Sequence, residues 1–390
     1  MNYILFDGPE RNNLLPITFT RPVADIRTGI LTIKEKWEKL LKTTVSYKTE
    51  KYLSTKYSTV TTSNNVLING SIFPNGELVF QINKLLPGQL LKKGKLEIAI
   101  RPNSKSIDIS NIANYQIIET NINFLKLENT WDIFSLNPQA ILDDFELITN
   151  NRTSHKISDT NFIIGDPDMI FFEEGVVAEF TFLNTTEGPI YIGKDAEIME
   201  GSKIRGPFAL CEHSTVKMDA KIYSGTTIGP HSKVGGEISN SVILGYSNKG
   251  HDGFLGNSVI GEWCNLGADT NISNLKNTYD FVRLWSYNND TFVNTGLQFC
   301  GLILSDHSKC GINTMFNTGT VVGVSSNIYG AGYQRNFIPS FMWGGTAGLK
   351  TYNFNKSVEV AKAVFKRRNM EFDEVEIDIF EYLYEITHKK

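Results

Sequence analysis

The chain has 390 residues, 41% of them apolar and 21% charged, with 32 Gly and 12 Pro. That is more than one hydrophobic core usually organises, so two or three domains are expected, and the composition excludes long-range disorder and collagen-like repetition. A formal net charge of -4 supplies no broad cationic field, so neither nucleic acid nor a membrane surface is an expected partner. Cys211, Cys264, Cys300 and Cys310 are widely spaced and form no C-x-x-C pair, which implies neither a zinc site nor a disulfide framework. The N-terminus has no basic n-region and no segment approaches ~18 uninterrupted apolar residues. The chain therefore reads as soluble and cytoplasmic, with no metal ligands assigned.

In chain order, the strand-like runs Tyr3–Phe6, Val66–Ile68 and Leu96–Ile100 alternate with a helix-like stretch from about Ile30 to Leu41. That alternation predicts an α/β domain over residues 1–155. The first strand leads into Leu5-Phe6-Asp7-Gly8-Pro9-Glu10-Arg11 and, further on, Pro16-Ile17-Thr18-Phe19-Thr20-Arg21-Pro22. This stretch resembles the L-x-G-G-x-G-T-R-L-x-P-L-T-x-x-x-P-K signature of the sugar-nucleotide pyrophosphorylases. The resemblance implies a nucleotide site on Gly8, Arg11 and Arg21, with UTP as substrate and Mg²⁺ as the metal of nucleotidyl transfer. Asp7, Pro9 and Glu10 replace glycines or neighbours of the family turn, Val23 stands at the lysine position, and Ser71 stands where the family's metal-binding Asp follows a glycine. Arg27 is a further cation for such a site.

The polar stretch 150–159 breaks the periodicity and is read as the linker. Beyond it the apolar positions fall into steps of six: Ile192, Ile198, Ile204, Leu210, Val216, Ile222, Ile228 and Val234. The same step continues through Phe254, Ile260, Leu266 and Ile272, and later through Leu304, Cys310, Phe316, Val322 and Ile328. Neither the 3.6 period of a helix nor the 2 of a strand sustains a six. A three-sided coil of short parallel strands does, with one aliphatic side chain per side pointing into a narrow shaft. This predicts a parallel β-helix over residues 156–345, interrupted at about 240–253 and 273–301, where long excursions are expected to carry function.

These hexads resemble the hexapeptide-repeat acyltransferases, and that resemblance supplies the left-handed sense of the coil. Lys249-Gly250-His251-Asp252-Gly253-Phe254-Leu255-Gly256, followed by Ile260-Gly261 and then Asn265, Thr270 and Asn274, is similar to the acetyltransferase half of the bifunctional enzyme that acetylates glucosamine-1-phosphate and uridylylates the product. The family pattern there is K-x-G-H-x-x-Y-x-G followed by I-G-x-x-x-N-x-G-x-x-T-x-x-x-N. The resemblance implies His251 as catalytic base and Asn265 and Asn274 as residues of the sugar-phosphate surroundings. Acyl transfer to an amine asks for such a group, because a neutral imidazole can remove the proton as the tetrahedral centre forms. The alternatives are a hydrogen-bonded loop histidine, and asparagines that only satisfy turns. Phe254 stands where the family has an aromatic hydroxyl, and Ser239 where it has a cation; Lys249, with Lys221 and Lys233, is the candidate for the sugar phosphate. His307 is a rival base.

Residues 346–390 change grammar again: Val358, Ala361 and Phe365, then Val375, Ile379 and Leu383, mark two amphipathic helices expected to pack on the solenoid. Lys366-Arg367-Arg368 could meet coenzyme A phosphates or simply be a solvated helix end. The whole chain resembles a shortened bacterial variant of that bifunctional family. This implies an acetyl-CoA-dependent N-acetyltransferase of an amino-sugar-1-phosphate, with uridylyl transfer as a second activity, assembled as a homotrimer. A nucleotidyltransferase with a structural β-helix, and a non-catalytic sugar-nucleotide scaffold, are the alternatives.

Overall fold

The computed structural model describes residues 1–103, 105, 107 and 114–388. The chain divides into two compact units: Met1–Leu14, Thr20–Ile26 and Leu31–Asn129 form one, and Leu15–Phe19, Arg27–Ile30 and Thr130–Lys390 the other. The first boundary thus falls near residue 130, ahead of the polar stretch that was read as the linker.

The first unit is built on a mixed sheet. Its strands are β1 (Asn2–Phe6), β2 (Val45–Lys48), β3 (Asn65–Asn69), β4 (Gln89–Lys93), β5 (Leu96–Arg101) and β6 (Gln116–Glu119), ordered β2-β1-β3-β5-β4-β6. β1 runs parallel to both β2 and β3, and β5 is antiparallel to β3. Near-continuous apolar runs suit strands covered on both faces, and Ile4, Phe6, Leu67, Leu90 and Ile100 pack together as a buried cluster. Helices α1 (Ile33–Leu41) and α2 (Gly76–Lys84) belong to this unit. α1 begins at a capping box in which Thr32 accepts from the Glu35 amide and the Glu35 carboxylate accepts from the Thr32 amide, which satisfies two end groups at once.

The second unit is a three-sided parallel β-helix. Its first face runs from Phe162–Ile164 to Phe254–Gly256, its second from Ile170–Phe172 to Phe337–Ile338, and its third from Val177–Ala178 to Met342–Gly345. The hexad aliphatics from Ile192 to Val234 and from Leu304 to Ile328 line one continuous core. The expectation at Phe254 needs correction: Leu255 is the inward residue, paired in register with Ile238, while Phe254 is only partly buried.

The stretch 240–253 is likewise not an excursion. Val242–Gly245 and Asn248–Lys249 continue the second and third faces, with Ile243 paired to Ile228 and Lys249 to Val234. The repeat was hidden there because two turns are shortened and a lysine fills an aliphatic slot. The second interruption is real, and holds an antiparallel hairpin of Arg283–Ser286 and Thr291–Asn294.

Short helix α3 (Asp132–Ser135) and α4 (Asn137–Thr149) belong to this unit. The Asn137 amide donates to the Gly225 carbonyl at 2.8 Å and to the Thr227 hydroxyl at 3.0 Å, fastening α4 to the coil. At the far end Met342–Gly345 pairs antiparallel with Gly348–Thr351, which gives the Met342-Trp343-Gly344-Gly345 run its role. Helices α5 (Phe354–Lys366) and α6 (Glu374–His388) follow, burying Ala361, Phe365, Ile379, Phe380 and Leu383. No described helix is long and apolar enough to cross a membrane.

Candidate functional site

Where the second face turns into the third, each coil presents one residue in the left-handed backbone region. His213, His231, Tyr246, Trp263 and His307 occupy these corners, with φ between 52° and 61°. Their rings stack: centroids are 4.7 Å apart for His213 and His231, 4.8 Å for His231 and Tyr246, and 4.3 Å for Tyr246 and Trp263. Helix α5 closes on this ladder, placing Phe365 on Trp263 at 3.9 Å. The signal was present in the sequence, because each ring lies three residues after an inward aliphatic of the second face, as in Ile228 and His231 or Ile260 and Trp263.

An open cleft of about 730 Å³ runs along the third face beside this ladder. His251, Asn248 and Asn265 line it, together with Tyr246 and Trp263. Its charged lining is cationic: Lys217, Lys233 and Lys309 from the solenoid, Arg367 and Arg368 from the end of α5, and no acidic residue among those described. Arg368 also donates to the His231 carbonyl at 2.7 Å, which fixes the helix end against the coil. Burial, then the neighbouring Arg367, hold the Arg368 guanidinium below its ordinary pKa. Such a surface suits a ligand carrying several phosphate oxygens.

His251 and Asn265 therefore share one cleft. Asn274 does not: it stands at the corner between the first and second faces, where its amide donates to Asn257 Oδ1 at 2.9 Å. Lys249 is corrected more sharply, since its side chain points into the shaft and is 2% exposed, and its ammonium is bonded to backbone carbonyls. Among the other cations, Lys221 lies on the first face and Lys233 in the cleft. His307 is buried among Trp263, Phe365, Phe372 and Phe380, a packing position unsuited to a base.

In the first unit, Gly8, Arg11 and Arg21 do not assemble an open phosphate cradle. Asp7, at the end of β1, accepts from the Val23 amide at 2.8 Å and the Thr49 hydroxyl at 2.6 Å, and pairs with Arg11 Nε at 3.3 Å. Burial raises the Asp7 carboxyl pKa against these contacts. Arg11 also donates to the Tyr52 hydroxyl at 2.9 Å. Glu10 pairs with Lys126 at 2.6 Å, and its Oε2 lies 2.3 Å from where a side chain on Gly8 would begin. Arg21 is 2% exposed, and Arg27, whose guanidinium donates to the Ile30 carbonyl, belongs to the second unit. Ser71 donates to Asn69 Oδ1 at 2.7 Å and offers no anionic ligand, so the residues at that position do not fit Mg²⁺. No group of three His, Cys, Asp or Glu able to hold a metal occurs among the described residues.

The chain thus joins an α/β sheet unit to a parallel β-helix that carries a polar cleft, and parts of it are similar to known proteins. Residues 3–153 match the sugar nucleotidyl transferase family. The chain is similar to a bifunctional sugar-1-phosphate nucleotidylyltransferase/acetyltransferase of Sulfurisphaera tokodaii, 28% identical over 37% of this chain and 36% of that protein. It is also similar to the bifunctional protein GlmU of Methanococcus vannielii, 30% identical over 68% of this chain and 55% of that protein, and to that of Methanococcus aeolicus, 27% identical over 67% and 55%. The chain thus spans about half, or less, of the length of these three relatives. A solved Arabidopsis UDP-N-acetylglucosamine acyltransferase overlaps 53% of this chain and 77% of its own at 15% identity, with a TM-score of 0.21, too loose a likeness to bear on function.

Proposed function

We propose that the protein is an acetyl-CoA-dependent N-acetyltransferase whose acceptor is an amino-sugar-1-phosphate such as glucosamine-1-phosphate. The observation that carries this reading is the meeting of His251 and Asn265 in a cleft whose charged lining is wholly cationic. Both substrates bear phosphate, so Lys217, Lys233, Lys309, Arg367 and Arg368 offer charge complementarity to either. The acceptor amine attacks the thioester carbonyl carbon while the neutral His251 imidazole takes its proton. Collapse of the tetrahedral centre breaks the C–S bond and expels the thiolate, which recovers a proton from the imidazolium. Asn265 can both donate to and accept from sugar hydroxyls. The proposal includes assembly as a homotrimer, as in the family that the hexads resemble.

The test is release of free thiol from acetyl-CoA in the presence of glucosamine-1-phosphate, with glucosamine and glucosamine-6-phosphate as comparison acceptors. Turnover selective for the 1-phosphate supports the reading, and none with any amino-sugar phosphate overturns it.

A second reading, uridylyl transfer in the first unit, is favoured by the family match over residues 3–153. The carboxylates of Asp7 and Glu10 around Gly8 oppose it, because they already engage Arg11 and Lys126 and the Glu10 side chain fills the space beside Gly8 where a triphosphate would lie.

A further inference from the structure

The inward column of the third face runs Ile198, Val216, Val234, Lys249, Leu266, Cys310 and Ile328, with Val234 and Lys249 paired in register and Leu266 and Cys310 likewise. A lysine in that column is costly, since a cation removed from water without a well-placed partner destabilises a core where Val or Leu would pack freely. Its ammonium is satisfied by two backbone carbonyls. Nζ donates to the Gly235 oxygen at 3.1 Å, in the turn beneath, and to the His251 oxygen at 2.6 Å, in its own turn. The groups acting on it electrostatically are the carboxylates of Asp252 and Asp269 and the thiol of Cys310, and burial lowers its pKa to about 8.

The backbone on either side of His251 is held from neighbouring coils, the Asp252 carbonyl accepting from the Asp269 amide at 3.1 Å and the Gly253 carbonyl from the Glu237 amide at 3.2 Å, while the His251 carbonyl accepts only from Lys249 among the described residues. Gly250 and Gly253 flank His251 and Asp252, and a side chain on Gly250 would meet nothing within 4 Å. Gly253 adopts φ 114° and packs so closely on the Thr270 carbonyl that a Cβ would lie 2.2 Å from it. His251 is exposed, and no hydrogen bond from another described residue reaches its ring. A glycine-flanked histidine of this kind samples many orientations unless its backbone is anchored.

We propose that Lys249 is a positioning residue for the acyl transfer: its ammonium, inside the shaft, staples the carbonyls of His251 and Gly235 together and so sets where the imidazole stands in the cleft. This rests on the reading of His251 as the base. It also explains why a charge stands in an otherwise apolar column.

The test uses the full chain with Lys249→Met, which keeps length and suits an apolar shaft, and Lys249→Gln, which keeps a donor. The expected result for Lys249→Met is a kcat about 100-fold lower, the scale of loss from a small misplacement of a reacting group, with KM for both substrates within about twofold. Lys249→Gln recovers part of the loss. Independently of turnover, ¹³C-ring histidine NMR follows the His251 signal, assigned by its disappearance in His251→Ala. In Lys249→Met that signal shifts or broadens while the other histidines keep theirs. A wild-type kcat, or an unmoved His251 signal in a folded variant, overturns the proposal; should Lys249→Met not fold, Lys249→Gln is judged on the same two readouts. If the wild type shows no thiol release at all, the functional reading fails, while the ring signal still decides whether Lys249 positions His251.

Discussion

Phe365 lies flat on Trp263, ring centroids 3.9 Å apart and planes 25° from parallel, and this contact seats the end of α5 on the corner ladder of the solenoid. Two and three residues later come Arg367 and Arg368, which line the cleft. Removing the Phe365 ring, 3% exposed, is expected to cost about 3 kcal/mol of stability. The same substitution is expected to raise KM for acetyl-CoA about tenfold by unseating both guanidiniums, with kcat changed less. Urea denaturation and steady-state kinetics of Phe365→Ala check the two parts; an unchanged KM would remove α5 from the binding surface.

The carboxylates around Gly8 predict that the first unit does not turn over UTP. With N-acetylglucosamine-1-phosphate, UTP and Mg²⁺, pyrophosphate release is expected to stay at background, and UTP at millimolar concentration to leave the melting temperature within about 1 °C, since a ligand that does not bind does not stabilise. Pyrophosphate release above background would restore the second reading.

Two lysines, Lys249 buried in the shaft and Lys309 half-buried at the cleft, give stability a definite pH signature. Burial lowers both Lys249 and Lys309 from the ordinary 10.5 to about 8, so between those values the unfolded chain binds more protons than the folded one. On their account stability rises as pH climbs through that window. The buried thiols act oppositely above pH 9, since burial pushes Cys300 up to about 12 and Cys264 further, and the unfolded chain ionises first. The comparison of Lys249→Met with wild type isolates the lysine. The variant's stability relative to wild type is expected to be most favourable below pH 8 and to become less so by pH 10, by a few kcal/mol at most. A difference independent of pH, read from urea midpoints at pH 7.5 and 10, would contradict a titrating ammonium in the shaft.

Much of the solenoid was legible because one aliphatic per side leaves a period no other fold produces, and Ile192 through Val234 show it without a gap. It became illegible at Lys249, where a polar residue fills the slot, and at Leu255, where a shortened turn moves the inward position by one. His251 and Asn265 were found together because a local pattern carried both. Asn274 fell at another corner because sequence spacing does not say which side of a three-sided coil a residue meets. Arg367 and Arg368 were ambiguous in sequence, since only the packing of Phe365 decides which way the end of α5 faces. The Trp263 ladder was missed because its members, His, Tyr and Trp, look unrelated until aligned coil by coil. In the first unit β1, β3, β5 and the body of α1 followed from pattern, while β2, β4 and β6 did not; that Glu10 would fold back beside Gly8 is a side-chain outcome the signature does not encode.

Thiol release from acetyl-CoA with glucosamine-1-phosphate, compared between wild type and His251→Ala, addresses the proposed chemistry most directly. His251 is exposed and makes no packing contribution to the shaft, so the variant is expected to keep the wild-type melting temperature and circular dichroism. Its kcat is expected to fall by a factor of roughly 10²–10⁴, the usual worth of a general base, with KM for acetyl-CoA little changed. A folded His251→Ala protein turning over at the wild-type rate would contradict the account.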